Sequence, residues 1–275
     1  MKIATVGKGG SGKTTIAGTL ARIFAEDGRR ILAIDGDPNP NLALMLGLSP
    51  DAANNLSFIP TSVIKKVDKP DGTATLELAL DRDELMSKFS TPAASNVDLI
   101  VMGRPMHGSA GSGCMCMSHR TVRELISQLT NMGSHTVTDM EAGLEHLKRG
   151  TARHVDMMLV VAEPYYRSLE AASRTAELAV ELGVPYVKVV GNKVRGPEDR
   201  QAIESYCRKH QMEIIGWVPH DDELVAAERQ NRAPYDAVPN APAVKAIREM
   251  AAEIERLSID VPPRRDAGTA PVART

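Results

Sequence analysis

Cysteine is scarce in this chain, with three residues in 275. An odd, small number rules out a disulfide framework of the secreted kind and leaves thiols suited to a reducing cytoplasm. No stretch approaches the ~20 consecutive apolar residues that a membrane helix needs. The chain also opens without the basic, apolar and small-residue succession of a secretory leader, so a soluble cytoplasmic protein is expected. Charge of one sign is lacking as well. A formal net charge of −2 offers no basic excess for gripping a phosphate backbone, which sets nucleic acid aside as a main partner.

What is present suffices for a full core: 43% hydrophobic and 25% charged residues over this length fit one large domain without internal repeats. Short β-branched runs alternate with longer segments whose apolar residues recur every three or four positions. This is the pattern of a parallel sheet covered by helices on both faces. Strands are expected at Lys2–Val6, Arg30–Asp35, Val97–Met102, Thr136–Met140, Met157–Ala162, Tyr186–Gly191 and Glu213–Val218. Helices are expected at Thr14–Glu26, Thr121–Leu129, Ser168–Leu182 and Pro242–Leu257. The fold class is therefore α/β, a single domain with a mostly parallel central sheet of about seven strands. Between Asn54 and Asn96 the rhythm breaks; a surface excursion is expected there, with a strand or two and a helix near Leu80–Lys88. The domain should span 1–260, and 261–275, rich in Pro, Arg, Ala and Gly, should be a disordered tail.

The chemistry begins at Gly7–Lys8–Gly9–Gly10–Ser11–Gly12–Lys13–Thr14–Thr15, which fits the P-loop pattern and lies between an expected strand and an expected helix. Glycines let the backbone wrap phosphate oxygens, the amides and the helix N-terminus face the anion, and Lys13 reaches the β- and γ-phosphates. Thr14 offers its hydroxyl to Mg²⁺. ATP and Mg²⁺ are thus the expected cofactors.

Lys8, a second lysine at the start of the loop, resembles the mark of the deviant Walker A ATPases, a group that includes MinD, ArsA and the nitrogenase iron protein. That resemblance implies a homodimer in which Lys8 reaches the partner's nucleotide, a device comparable to an arginine finger and worth roughly 10³–10⁵ in rate. It also gives roles to residues at the carboxyl ends of strands, where α/β ligand sites form. Asp35–Gly36–Asp37–Pro38 resembles the group's switch I, with Asp37 positioning or deprotonating the attacking water and Asp35 nearer the metal shell, an assignment left interchangeable. Asp139, in Thr138–Asp139–Met140–Glu141–Ala142–Gly143, resembles a Walker B aspartate on a magnesium-bound water, followed by switch II. Asn192 and Lys193 are placed at the adenine edge, with Pro219 and His220 covering the other side of the base.

A second chemistry is carried by Gly113–Cys114–Met115–Cys116 in a glycine-rich loop. Two thiolates suit a soft metal such as zinc, copper(I) or an iron–sulfur cluster, and can bind nickel, but two ligands do not close a site. Two loops meeting on a dimer axis would supply four. Cys207 and His210, three apart on an expected helix, have the bland reading of a half-exposed thiol beside a surface histidine.

The P-loop, Asp35–Gly36–Asp37–Pro38, the Cys114–Cys116 pair, the string Glu141–Ala142–Gly143–Leu144–Glu145–His146–Leu147–Lys148–Arg149–Gly150–Thr151, and Asn192–Lys193–Val194–Arg195 together resemble the CooC-type ATPases, which insert nickel into carbon monoxide dehydrogenase. The likeness runs to about Leu257. It implies an ATP-hydrolysing metallochaperone holding nickel or zinc at Cys114 and Cys116, with a client such as carbon monoxide dehydrogenase. A MinD- or ParA-like positioning ATPase would need an amphipathic membrane-targeting end or a basic face. A reductase like the nitrogenase iron protein would carry a cluster cysteine just after switch II, where this chain has Glu141–Ala142–Gly143.

Overall fold

Runs of buried β-branched and aliphatic residues build the sheet. Met157–Ala162 is buried at every position, as a strand with helices on both faces must be. The computed structural model describes residues 1–37, 39–68, 74–102, 135–140 and 154–258. The strands are β1 (Lys2–Gly7), β2 (Ile31–Gly36), β3 (Phe58–Ile59), β4 (Ile64–Asp68), β5 (Ala74–Leu78), β6 (Ser90–Ala94), β7 (Val97–Met102), β8 (His135–Met140), β9 (Met157–Ala162), β10 (Tyr186–Val194) and β11 (Glu213–Pro219).

Nine of them form one sheet in the order β11-β10-β9-β1-β8-β2-β7-β3, with β6 paired to β7. Every pairing in it is parallel except β6 with β7. All seven expected strands are present. The two additional strands, β3 and β6, share the outer edge of β7. β3 is only two residues long, and β6 carries Pro92, a residue confined to sheet margins because it cannot donate to a ladder. The excursion also contains a separate antiparallel hairpin, β4 with β5.

Period-two alternation along the strands divides the core between the two faces. Ile3, Ile31 and Ala33 pack with Ile16 and Leu20 of helix α1 (Lys13–Glu26). Their neighbours Ala4, Val6, Leu32 and Ile34 face Leu169 and Ala172 on the other side. Helices α2 (Leu42–Met45) and α3 (Pro50–Asn54) follow β2. Helix α4 (Arg82–Phe89) starts at a reciprocal capping box between Asp81 and Glu84, close to the helix expected there. Helix α5 (Tyr166–Glu181) covers the second face together with α6 (Pro197–Lys209). Then come α7 (Asp222–Arg229), α8 (Pro234–Ala237) and α9 (Pro242–Ser258), the last packing beside α1 and sending Ile247, Met250 and Ile254 into the first face. No helix among the described residues is long and apolar enough to cross a membrane. The helix expected at Thr121–Leu129 and the tail expected from 261 lie outside the described residues.

From β1 the sheet grows one way through β8, β2 and β7 and the other way through β9, β10 and β11. Ligands bind α/β sheets at such a divide, beyond the carboxyl ends of the strands. Gly7, Asp139, Asp35 and Asn192 all sit at those ends.

Candidate nucleotide-binding site

The loop after β1 is shaped by glycines where side chains would not fit. Gly10 and Gly12 have φ of +82° and +92°. A Cβ on Gly7 would stand 2.5 Å from Ser11 Oγ and 2.8 Å from the Val161 carbonyl oxygen. The Ser11 amide donates to the Lys8 carbonyl at 3.0 Å, closing the turn. Gly12 is the N-cap of α1, so no side chain caps the helix, and no acidic residue occupies its first turn. The amides and the positive end of the helix dipole are therefore left for an anion.

Thr5, Asp139 and Asp35 stand in one row across β1, β8 and β2. Asp139 accepts from Thr14 Oγ1 at 2.6 Å and from Thr5 Oγ1 at 3.1 Å. Lys13 Nζ donates to Asp37 Oδ2 at 2.9 Å and lies 3.7 Å from Asp139 Oδ1. Asp35 is fully buried and gives its oxygens to backbone amides, that of Leu42 at 2.8 Å and that of Asp37 at 3.2 Å. In this arrangement it shapes the loop that presents Asp37.

Burial dominates the titration of these acids. It pushes Asp35 up to about 7, helped by the neighbouring Asp139 and opposed by the two amides. Asp139 is likewise raised by burial, against the pull of Lys13 and of the Thr14 and Thr5 hydroxyls. Lys13 feels the same burial, which disfavours its charge, yet Asp139, Asp37 and Asp35 together hold its pKa above the usual lysine value.

On the other side of the loop, β10 and β11 slip register between Gly191 and Val194, and the two residues at that irregularity turn towards the loop. Asn192 Nδ2 donates to the Ser11 carbonyl at 2.6 Å, and Lys193 Nζ donates to the Gly10 carbonyl at 2.5 Å. Lys193 also pairs with Glu163 Oε1 at 2.9 Å. A cavity of about 750 Å³ opens here, with Lys13, Thr14, Asn192, Lys193, Pro219 and His220 on its walls. Its volume lies within the range of pockets that enclose small-molecule ligands, roughly 300–1,000 Å³.

Residues 2–235 match the CobQ/CobB/MinD/ParA nucleotide binding domain. The carbon monoxide dehydrogenase accessory protein CooC of Rhodospirillum rubrum is 37% identical over 94% of this chain and 97% of its own length. An ATP-binding protein of Methanocaldococcus jannaschii is 37% identical over 83% of this chain and 88% of its own. The fold is that of MinD from Pyrococcus horikoshii, solved with Mg-ADP, at a TM-score of 0.71 and 19% identity, covering 94% of this chain and 98% of that one. The chain belongs to the CobQ/CobB/MinD/ParA family of P-loop ATPases. ATP hydrolysis is its activity.

Within this MinD/ParA-type site, the structure brings together Lys13, Thr14, Asp37 and Asp139 on one side of the loop and Asn192 and Lys193 on the other. Thr15 Oγ1 donates to Glu228 Oε1 at 2.5 Å. His220 Nε2 lies 3.1 Å from both Asp222 Oδ1 and Arg195 Nη2 at the cavity rim. Cys114 and Cys116 lie outside the described residues. Cys207 is buried rather than half-exposed, its thiol pushed up to about 11 by burial, while His210 stacks on Tyr206 at 4.3 Å.

Glu163, Tyr165 and Glu228 also line the cavity, and no motif in the sequence marks them. Glu163 follows the carboxyl end of β9, beside β1, and the strand-end rule that marks Asp35 and Asp139 would have marked it too. Glu228 arrives from α7 through tertiary packing alone, which no local pattern records.

Gly12 provides a direct test of this architecture. Alanine there must adopt a positive φ, at a cost of about 1–2 kcal/mol, and its Cβ would collide with the Asn192 amide. Gly12→Ala should therefore lower the nucleotide-free protein's stability by about 1–3 kcal/mol in urea denaturation. It should also weaken ATP binding, whereas Gly9→Ala, whose Cβ would meet nothing within 4 Å, should leave stability within about 0.5 kcal/mol.

Proposed function

We propose that this chain is an ATP-hydrolysing metallochaperone that dimerises with nucleotide and carries nickel or zinc on Cys114 and Cys116 for insertion into a carbon monoxide dehydrogenase-like enzyme. The observation that carries this reading is the likeness to the carbon monoxide dehydrogenase accessory protein across 94% of the chain. The Cys-X-Cys pair supplies the chemistry a soft metal cargo requires.

Each site residue has a role in this reading. Lys13 binds the β- and γ-phosphates, with Gly9, Gly10, Ser11, Gly12 and Thr15 lending amides and a hydroxyl. Thr14 and Asp139 would hold Mg²⁺. Their oxygens already converge at 2.6 Å, and a hydroxyl with a carboxylate is a hard donor set suited to that ion. Bound there, Mg²⁺ neutralises developing phosphate charge. Asp37 orients the water that attacks the γ-phosphorus, and Asp35 fixes the backbone that carries Asp37. Lys8 reaches the partner subunit's nucleotide. Asn192, Lys193, Pro219 and His220 border the base, and Asn192 also braces the phosphate loop. In this reading the ATPase unit spans 1–260 and the protein works in the cytoplasm, where Cys114 and Cys116 would stay reduced and free to take a metal.

Purification without oxygen, followed by metal analysis and an absorption spectrum, tests the reading. About one zinc or nickel per dimer, without iron or sulfide, is expected because closed thiolate sites take four ligands; the zinc form should be colourless and the nickel form should show thiolate-to-nickel charge-transfer bands. A brown protein with iron and sulfide would overturn it in favour of an iron–sulfur reductase.

A further inference from the structure

Lys8 lies with Nζ 5.4 Å from the ring centroid of Tyr165, inside the ~6 Å reach of a cation–π contact. We propose that Tyr165 is a positioning residue for Lys8: its ring face holds the ammonium within its own subunit, and nucleotide-driven pairing of two subunits releases it. The inference rests on the reading that Lys8 acts on the partner's nucleotide.

The ring is held in place by a chain of polar contacts. Tyr165 sits immediately before α5, in extended backbone behind Pro164, whose fixed φ stiffens the approach. Its hydroxyl donates to Glu163 Oε2 at 2.5 Å. Glu163 is buried, its amide donates to Ser168 Oγ at 3.0 Å, and its other oxygen takes Lys193 Nζ at 2.9 Å. Lys193 then donates to the Gly10 carbonyl, two residues from Lys8 in the same loop. The circuit runs from the phosphate loop through Lys193, Glu163 and Tyr165 back to Lys8. A phosphate that draws in the Gly10 backbone acts on the residues that orient the ring. The contact is also weak enough to be undone: the tyrosine is 44% exposed, and an exposed cation–π pair biases an equilibrium by about two- to fivefold. A buried ion pair would hold Lys8 too firmly to let it cross to another subunit.

Removing the ring face should shift Lys8 towards its released state by that factor. ATP turnover measured against protein concentration should reach half its maximum at a concentration about two- to fivefold lower in Tyr165→Leu. Tyr165→Phe, which keeps the face and loses the hydroxyl tie, should fall between that variant and the parent. An unmoved midpoint with a changed KM for ATP would make Tyr165 a nucleotide contact and overturn the proposal. A second measurement is independent of hydrolysis. With lysines dimethylated using ¹³C, the Lys8 methyl signal of nucleotide-free protein, assigned through Lys8→Arg, should lie upfield under the ring current. It should move downfield in Tyr165→Leu and move part of that way in Tyr165→Phe. A Lys8 signal indifferent to Tyr165→Leu overturns the proposal. Parental turnover in Lys8→Ala instead overturns the reading beneath it, so the two failures are told apart.

Discussion

Lys13→Ala is expected to abolish ATP turnover and, in nucleotide-free protein, to cost about 3 kcal/mol of stability. The two losses have one origin. Lys13 Nζ stands 2.9 Å from Asp37 and 3.7 Å from Asp139, and Asp35 lies one strand away in the same buried row. Without the ammonium, three acids share a low-dielectric corner with no cation among these contacts. Asp35 and Asp139 already titrate above the normal carboxylate range because of burial, so in the variant they should be raised further. The sign of the pH effect follows. The folded variant then retains protons that the unfolded chain has released, and its stability falls as pH rises above the unfolded value of 3.8 and goes on falling past the parent's folded value of about 7. Urea denaturation at pH 6 and pH 8 should show the larger deficit at pH 8. On the catalytic side, the missing charge should weaken nucleotide binding about tenfold or more. Turnover should drop by at least ~10²-fold, as when other preorganised donors to a developing charge are removed. Comparable deficits at both pH values would mean that the lysine is not the counter-charge of this acid cluster.

What the sequence could and could not disclose follows from the range of the interactions. Strands β1, β2 and β7 to β11 were legible because each is a short run of β-branched and aliphatic residues of strand length, and the observed ends differ from the expected ones by few residues. β6 was not legible, since Pro92 argues against a strand unless its place on the sheet edge is known. The phosphate loop was readable residue by residue because its function requires glycines and a lysine at fixed spacing. Asp35 was readable as part of the site, but its use of both oxygens on the Leu42 and Asp37 amides depends on how the chain turns after β2. Asn192 was read as a base contact; its hydrogen bond to the Ser11 carbonyl spans 181 positions and becomes visible only when β10 is set two places from β1. Glu228 and Tyr165 belong to the same class of long-range partner.

The other large effect concerns the cysteine pair. Ser at either Cys114 or Cys116 should remove high-affinity metal binding, because a hydroxyl replaces a soft thiolate donor and a dimer loses two of four ligands at once. In the proposed dimer the same arrangement would make metal and nucleotide interdependent. If ATP draws the subunits together, the two cysteine loops change separation with nucleotide state, and metal affinity must change with them. Thermodynamic linkage then requires the bound metal to alter ATP affinity by the same factor, typically 5- to 150-fold for couplings of this kind. Zinc and nickel titrations of metal-free protein, run with no nucleotide, with ADP and with a non-hydrolysable ATP analogue, should give affinities that differ among the three states. ATP-analogue titrations with and without metal should return the same factor. Cys114→Ser should erase both shifts while retaining nucleotide binding, since the phosphate and Mg²⁺ roles proposed for Lys13, Thr14 and Asp139 call on hydroxyl, carboxylate and ammonium groups and need no thiol. One metal per monomer, or metal affinities that ignore nucleotide, would leave the ATPase intact and remove its role in metal insertion.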